Sequence, residues 1–254
     1  MCVRSCLALI LLSALWPAAA TAQWFSYPTP GIPRHADGTP NLTAPAPKTR
    51  DGKPDLSGIW LTPSGRWLNN LAADGVEVPF RPAALAIYKE RQANNGKGRP
   101  SERCISHGVT DFDALGTPTK IIQTPEVTAI LFEAYNHYRQ VFTDGRPLPK
   151  NPQPAWLGYS VGKWEGDTFT VETNGLNDQT WLDDGGYPHS EALRVTERFH
   201  RSDFGHMEIR ITIDDPESYT RPWTVTIPKQ LMADTELIEF MCENEKDLAH
   251  LVGK

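Results

Sequence analysis

From Lys120 onward, apolar residues recur at every second position, interrupted by short clusters of Gly, Asp and Pro. This period belongs to half-buried β-strands, because successive side chains of a strand point to opposite faces. His206–Ile213 is the cleanest case: Met207, Ile209, Ile211 and Ile213 alternate with His206, Glu208, Arg210 and Thr212. One face of such a strand is buried and the other wet. The same reading places strands at Thr119–Gln123, Thr128–Phe142, Leu157–Trp164, Thr168–Thr173, Ala192–Arg201, Tyr219–Ile227 and Thr235–Glu243. Between them, Thr143-Asp144-Gly145-Arg146, Glu165-Gly166-Asp167, Ser202-Asp203-Phe204-Gly205 and Asp214-Asp215-Pro216 supply the chemistry of short reversals. Short turns force antiparallel neighbours. The expected fold is mainly β, an antiparallel meander closed into a barrel that hides its edges. A curved two-sheet sandwich is the alternative.

Upstream, Leu56–Leu61 is a further strand candidate, and Pro82–Ala93 is the one helix expected, with Pro82 at its first position and Ala84, Leu85 and Tyr88 on one face. Residues 23–54 carry many Pro, Gly and Thr and no lasting period, so they read as an irregular N-terminal extension. The barrel domain is expected over residues 55–254.

The first 22 residues read as a signal peptide: Arg4 forms the basic start, Leu7–Leu15 the apolar run, and Ala20-Thr21-Ala22 the cleavage site, with the cut after Ala22. That run is too short to span a bilayer, no later segment is apolar enough to do so, and no cysteine follows the cut for a lipid anchor. A periplasmic or secreted protein, free of the membrane after cleavage, is the expectation. Losing Arg4 takes the formal charge from -6 to -7, which disfavours a nucleic-acid partner. Cys104 and Cys242 then remain as a pair in an oxidising compartment, and a disulfide between them would contribute about 4 kcal/mol by chain entropy. Two unrelated buried thiols are the other reading. The oligomeric state is not legible.

Gly58-Ile59-Trp60 on a first strand ahead of a meander resembles the G-x-W that opens lipocalin-like, or calycin-type, barrels. The resemblance implies a tryptophan that plugs the closed end of a barrel whose other end admits a small apolar ligand. Over most of the chain, 51–60 (Asp-Gly-Lys-Pro-Asp-Leu-Ser-Gly-Ile-Trp), 142–147 (Phe-Thr-Asp-Gly-Arg-Pro), 162–168 (Gly-Lys-Trp-Glu-Gly-Asp-Thr) and 188–191 (Pro-His-Ser-Glu) resemble a set of exported bacterial proteins of unassigned function.

Two constellations can carry chemistry. Strict alternation through Leu131–Val141 puts Glu133, Tyr135, His137 and Arg139 on one strand face. Facing the lumen, Glu133 and His137 can share acid–base work, with Tyr135 touching the ligand and Arg139 stabilising negative charge. Facing solvent, they are ordinary strand decoration. The second group spans the long Asn- and Gly-rich connection Asn174–His189, read as a lid or a decorated loop, and the strand after it. Here His189 is the expected proton carrier, oriented by Asp183 or Glu191, while Arg198 holds an anion and Trp181 contacts the ligand. The competing reading of Asp183, Asp184, His189, Glu191, Arg194, Glu197 and Arg198 is a rim of ion pairs, Glu197 with Arg198 among them.

Other motifs are weaker. Gly158-Tyr159-Ser160-Val161-Gly162 has the spacing of a nucleophile elbow but lacks the strand-to-helix context. His200, His206 and Glu208 share a hairpin face without a metal-ligand motif, so no metal is expected. No glycine-rich phosphate loop is present, and no cofactor is expected. The function expected is an exported barrel enzyme acting on a small, partly apolar molecule by cofactor-free acid–base chemistry, as a lyase, isomerase or hydrolase. The alternative is a lipocalin-like carrier without catalysis.

Overall fold

A computed structural model describes residues 27–238 and 240. Nine strands form one closed barrel in chain order: β1 (Gly58–Leu61), β2 (Thr119–Gln123), β3 (Val127–Phe132), β4 (His137–Phe142), β5 (Tyr159–Glu165), β6 (Thr168–Asn174), β7 (Arg194–Arg201), β8 (His206–Asp214) and β9 (Trp223–Leu231). Neighbours are antiparallel except β4 and β5, which run parallel. That exception has a geometric reason. In an all-antiparallel meander of odd strand number the first and last strands would be parallel, and one parallel step lets β9 close antiparallel on β1. The mainly β, closed-barrel expectation holds.

The alternation in β8 does what its pattern implies, with Met207, Ile209, Ile211 and Ile213 packed inside the barrel. Across the register they meet Phe199 and Val195 on β7 and Ile227, Val225 and Trp223 on β9. The pairing is long around β5 to β9 and long again from β2 to β4, but thin at two places. β4 meets β5 only at Val141–Ser160 and Phe142–Val161, and β1 meets β9 only at Trp60–Leu231 and Leu61–Gln230. The barrel is therefore two curved sheets, β1–β4 and β5–β9, joined along two narrow seams.

Several boundaries differ from the sequence reading. Thr128–Phe142 is not one strand but the β3–β4 hairpin, whose tight turn sets Tyr135 at φ 62 and Asn136 at φ 51. Strict alternation across it therefore fails: His137 and Arg139 lie on β4, while Glu133 and Tyr135 lie in the turn. Ile227 does not end the last strand, because β9 continues through Pro228 to Leu231. Residues 235–238 form no strand, Phe240 makes an isolated bridge with Ala134, and the rest of the expected strand to Glu243 lies outside the described residues. So do the signal segment and Cys242.

The helix at Pro82–Ala93 (α2) is as expected, begun by Pro82 and buried at Ala84. Two shorter helices escape the sequence reading, α1 (Arg66–Asn69) and α3 (Val109–Ala114), together with a 3-10 turn at Pro100–Arg103. All three helices of the described residues sit in the β1–β2 connection. By strand direction, this connection shares one end of the barrel with the β3–β4 turn, the 175–193 loop and the β8–β9 connection. The other end carries the short turns. Among the described residues, no helix is long and apolar enough to cross a membrane.

At the short-turn end, Trp60 is buried, and its Nε1 donates to the Leu56 carbonyl at 2.9 Å. The Arg201 guanidinium lies 4.9 Å from the Trp60 ring and donates to the carbonyls of Asp55, Asp203 and Phe204. The closed barrel is consistent with a calycin-like fold.

Candidate functional site

The loop-rich end is tied down by polar contacts and an aromatic stack. Asp183 is fully buried and accepts the N–H groups of Leu71 (2.6 Å), Gly186 (2.8 Å) and Tyr187 (3.2 Å). The Thr110 hydroxyl donates to the Leu182 carbonyl at 2.7 Å, locking α3 to the 175–193 loop. Tyr88 of α2 stacks on Tyr187 at 4.7 Å, and Phe80 contacts both rings, at 5.2 Å from Tyr88 and 5.6 Å from Tyr187. Such pairs contribute about 0.5–1.5 kcal/mol each beyond area burial. The loop is thus a fixed cap.

Every residue of α3 is buried, and its two carboxylates serve different neighbourhoods. Asp113 belongs to the lumen. There Arg139 of β4 donates to Glu197 of β7 through Nη1 (2.9 Å) and Nη2 (2.5 Å), to Ser160 of β5 at 3.0 Å and to Thr173 of β6 at 2.7 Å. Lys229 of β9 donates to the Asp113 main-chain carbonyl at 2.7 Å and to Thr62 at 2.9 Å. Burial, followed by the neighbouring Glu197 carboxylate, pushes the Asp113 carboxyl well above the usual range, and Lys229 and Arg139 offset only part of this. Burial likewise lowers the Lys229 ammonium against the pull of Asp113 and Glu197. The axis of the barrel therefore holds a paired set of ionisable groups.

Asp111 belongs to a second cluster nearer the surface. Its carboxylate contacts Nδ1 of His107, and both residues are essentially inaccessible. The Asp184 carboxylate completes a donor set whose atoms all lie within 4.8 Å of one another. Asp184 also accepts the Ser101 hydroxyl at 3.1 Å and lies 3.9 Å from Nε of Arg99. The His107 ring is flanked by Tyr135 at 4.8 Å and Phe112 at 5.4 Å. Burial opposes charge on His107, but Asp111 outweighs it and holds the imidazole above its usual range. Burial raises the Asp111 carboxyl despite the imidazole. Asp184 and Tyr135 are only half-buried, so this cluster reaches the surface.

The residues singled out from sequence are distributed around these two clusters. Tyr135 stands in the outer cluster, and its left-handed backbone costs about 1–3 kcal/mol, a strain typical of functional sites. His137 begins β4 with its ring 5.8 Å from Phe112, and its Nδ1 donates to the Tyr135 carbonyl at 2.8 Å. Arg139 lies in the lumen with Glu197, which is not paired with Arg198; Arg198 faces outward from β7. The Glu133 carboxylate is buried and accepts the Ile238 N–H at 3.1 Å, so it clamps the segment after the barrel.

His189 lies inside the cap, its Nε2 2.8 Å from the Thr180 hydroxyl and its Nδ1 3.1 Å from the Ser190 carbonyl. The cavity beside it holds only about 10 Å³, and burial keeps the imidazole below its usual range. Asp183 is committed to the backbone bonds above and does not orient His189; burial pushes its carboxyl up to about 7. Trp181 is buried beneath the Arg91 guanidinium at 4.1 Å, and Glu191 is exposed on the rim. Ser160 points into the lumen as a partner of Arg139, not as a nucleophile on an elbow. His200, His206 and Glu208 are exposed on the outer wall.

His107, Asp111, Asp113 and Lys229 were missed by sequence reasoning. The i,i+4 spacing of His107 and Asp111 is a helical signal, and Lys229 continues the inward set Val225, Ile227 and Leu231. Two clefts open elsewhere, at the short-turn end: one of about 290 Å³ beside Lys120, Arg201 and Leu231, and one of about 620 Å³ beside Gln123, Lys163 and Trp164. No family model matches the chain, and no curated protein or solved structure is found to be similar to it.

Proposed function

We propose that the chain is an enzyme whose reaction centre is the polar cluster at the loop-rich end of the barrel, acting on a small, partly apolar molecule as a lyase, isomerase or hydrolase. One observation carries the reading: a buried histidine, His107, is held by a buried carboxylate, Asp111, and adjoins the half-buried hydroxyl-bearing ring of Tyr135. A charge held in a fixed, water-poor setting acts on a bound molecule far more strongly than in solution. The rings of Tyr135 and Phe240, 5.9 Å apart and edge to face, offer contact for an apolar portion. The carrier alternative finds less support, because the lumen it would use is occupied by Arg139, Glu197, Asp113 and Lys229.

The same reading includes export: a signal cut after Ala22, a periplasmic or secreted location, kinship with the exported bacterial set, and a Cys104–Cys242 disulfide. Mass spectrometry of the secreted chain with and without reductant tests the cut and the bond together.

The catalytic reading is tested by a thermal-shift screen of small esters, lactones, hydroxy acids and keto acids, followed by turnover assays read by mass spectrometry. Turnover of one of these classes is expected, falling about 100-fold or more in His107→Gln, the size of loss usual when a positioned group of a reaction centre is removed. Equal turnover in the variant and the wild type would remove the site from this corner of the barrel.

A further inference from the structure

We infer that His107, Asp111 and Asp184 together bind one divalent cation of the zinc or manganese type, an inference that rests on the reading of this cluster as the reaction centre. Each residue offers a ligand atom, and the three atoms lie within 4.8 Å of one another. Surface carboxylates gather without a metal because water satisfies them. That account does not extend to this cluster, where His107 is 1% and Asp111 0% exposed. Asp111 spends one oxygen on His107, while its other oxygen, Oδ1, is buried and has no hydrogen-bond partner. Buried carboxylate oxygens are nearly always satisfied by donors or by a metal.

The surrounding charges point the same way. Two carboxylates share the cluster, and among the described lysines and arginines the one that pairs with either is Arg99, which reaches Asp184 at 3.9 Å while also pairing with Glu102 at 3.3 Å. One imidazole and two carboxylates are a nitrogen–oxygen set, suited to zinc or manganese and poorly suited to metals that prefer sulfur. Three protein ligands leave positions open, the pattern of a catalytic rather than a structural metal site. Asp184 is the half-buried member of the set, and the half-buried Tyr135 ring lies against His107, so the cluster borders the surface. Ser101, donating to Asp184, supplies the outer contact that orients a ligating carboxylate.

The test uses the whole mature chain, stripped by dialysis against a chelator and titrated with Zn²⁺ by calorimetry and with Co²⁺ by visible absorption. One saturable equivalent is expected, with cobalt d–d bands marking a protein nitrogen and oxygen shell. Asp184→Asn alters a half-buried side chain, and should weaken binding at least tenfold while circular dichroism shows the fold unchanged. Asp111→Asn and His107→Gln should abolish the bands. Absence of a saturable equivalent, or equal affinity in Asp184→Asn and wild type, overturns the inference. Failure here alongside turnover that still depends on His107 would leave the enzyme reading standing alone. Cobalt binding alongside turnover indifferent to His107 would remove that reading and keep the metal site.

Discussion

Arg139 on β4 and Glu197 on β7 meet inside the barrel, and their pairing decides what happens when either is lost. Each charge is buried, so removing one leaves the other without compensation. Glu197→Ala is expected to cost about 3–5 kcal/mol in urea unfolding, whereas the double change Arg139→Met, Glu197→Leu should cost far less. Equal costs would mean that the pair does not act as a unit. His189 makes a different prediction. Burial holds its folded-state imidazole below the ordinary 6.5, so the unfolded chain takes up a proton first as pH falls. Stability is lost as pH drops below that value and levels off once the folded imidazole is also protonated. His189→Gln should flatten the slope of unfolding free energy between about pH 7 and pH 5, and a slope unchanged by the substitution would contradict this. At this scale the alternation marked more than was taken from it. Lys229 and Glu197 occupy inward positions among apolar neighbours, which already singles them out as paired lumen charges. Asp111 was harder to find, because α3 is only six residues long and shows no amphipathic period, and His107 precedes it outside any regular element.

Turns and strands explain where the sequence reading stopped short. The β3–β4 reversal uses Tyr135 and Asn136 in left-handed backbone without a glycine or proline, so its strands read as one. Asn tolerates that conformation, whereas a β-branched residue does not. Asn136→Val is therefore expected to lower stability by about 1–2 kcal/mol in thermal unfolding, and a neutral result would mean that the turn relaxes freely. Pro228 cut short the strand expected at Tyr219–Ile227 for the opposite reason: a proline lacks the ladder donor. It is accommodated because β9 pairs with β1 only further on, at Gln230 and Leu231, leaving one edge free beside Pro228. In β5, Gly162 turns a bare backbone toward the lumen, and a Cβ there would lie 2.5 Å from the Phe169 ring and 2.8 Å from Val141. Gly162→Ala is expected to cost about 1–3 kcal/mol by overpacking, read from the urea midpoint.

Over the whole molecule, the meander and the closure were legible, because alternation and turn chemistry are local signals. The cap was not, since its order comes from contacts between distant segments such as Leu71 with Asp183 and Thr110 with Leu182. The two seams are also a property of the assembled barrel. Amides of Val141, Phe142, Ser160 and Val161 should exchange with solvent sooner than those of Ile209 and Ile211, and matching protection at both places would count against the division. Beside the ladder bonds and the shared core, a buried cation spans each seam: Arg139 reaches from the smaller sheet to Ser160, Thr173 and Glu197, and Lys229 reaches from the larger one to Thr62. The vessel is thus built like a bivalve, with charged latches along its margins. Severed within the 143–158 crossover, the two valves would keep their own strands intact and carry complementary latches, and co-expressed pieces should click into one particle, whereas pieces with Arg139→Met and Lys229→Met should drift apart.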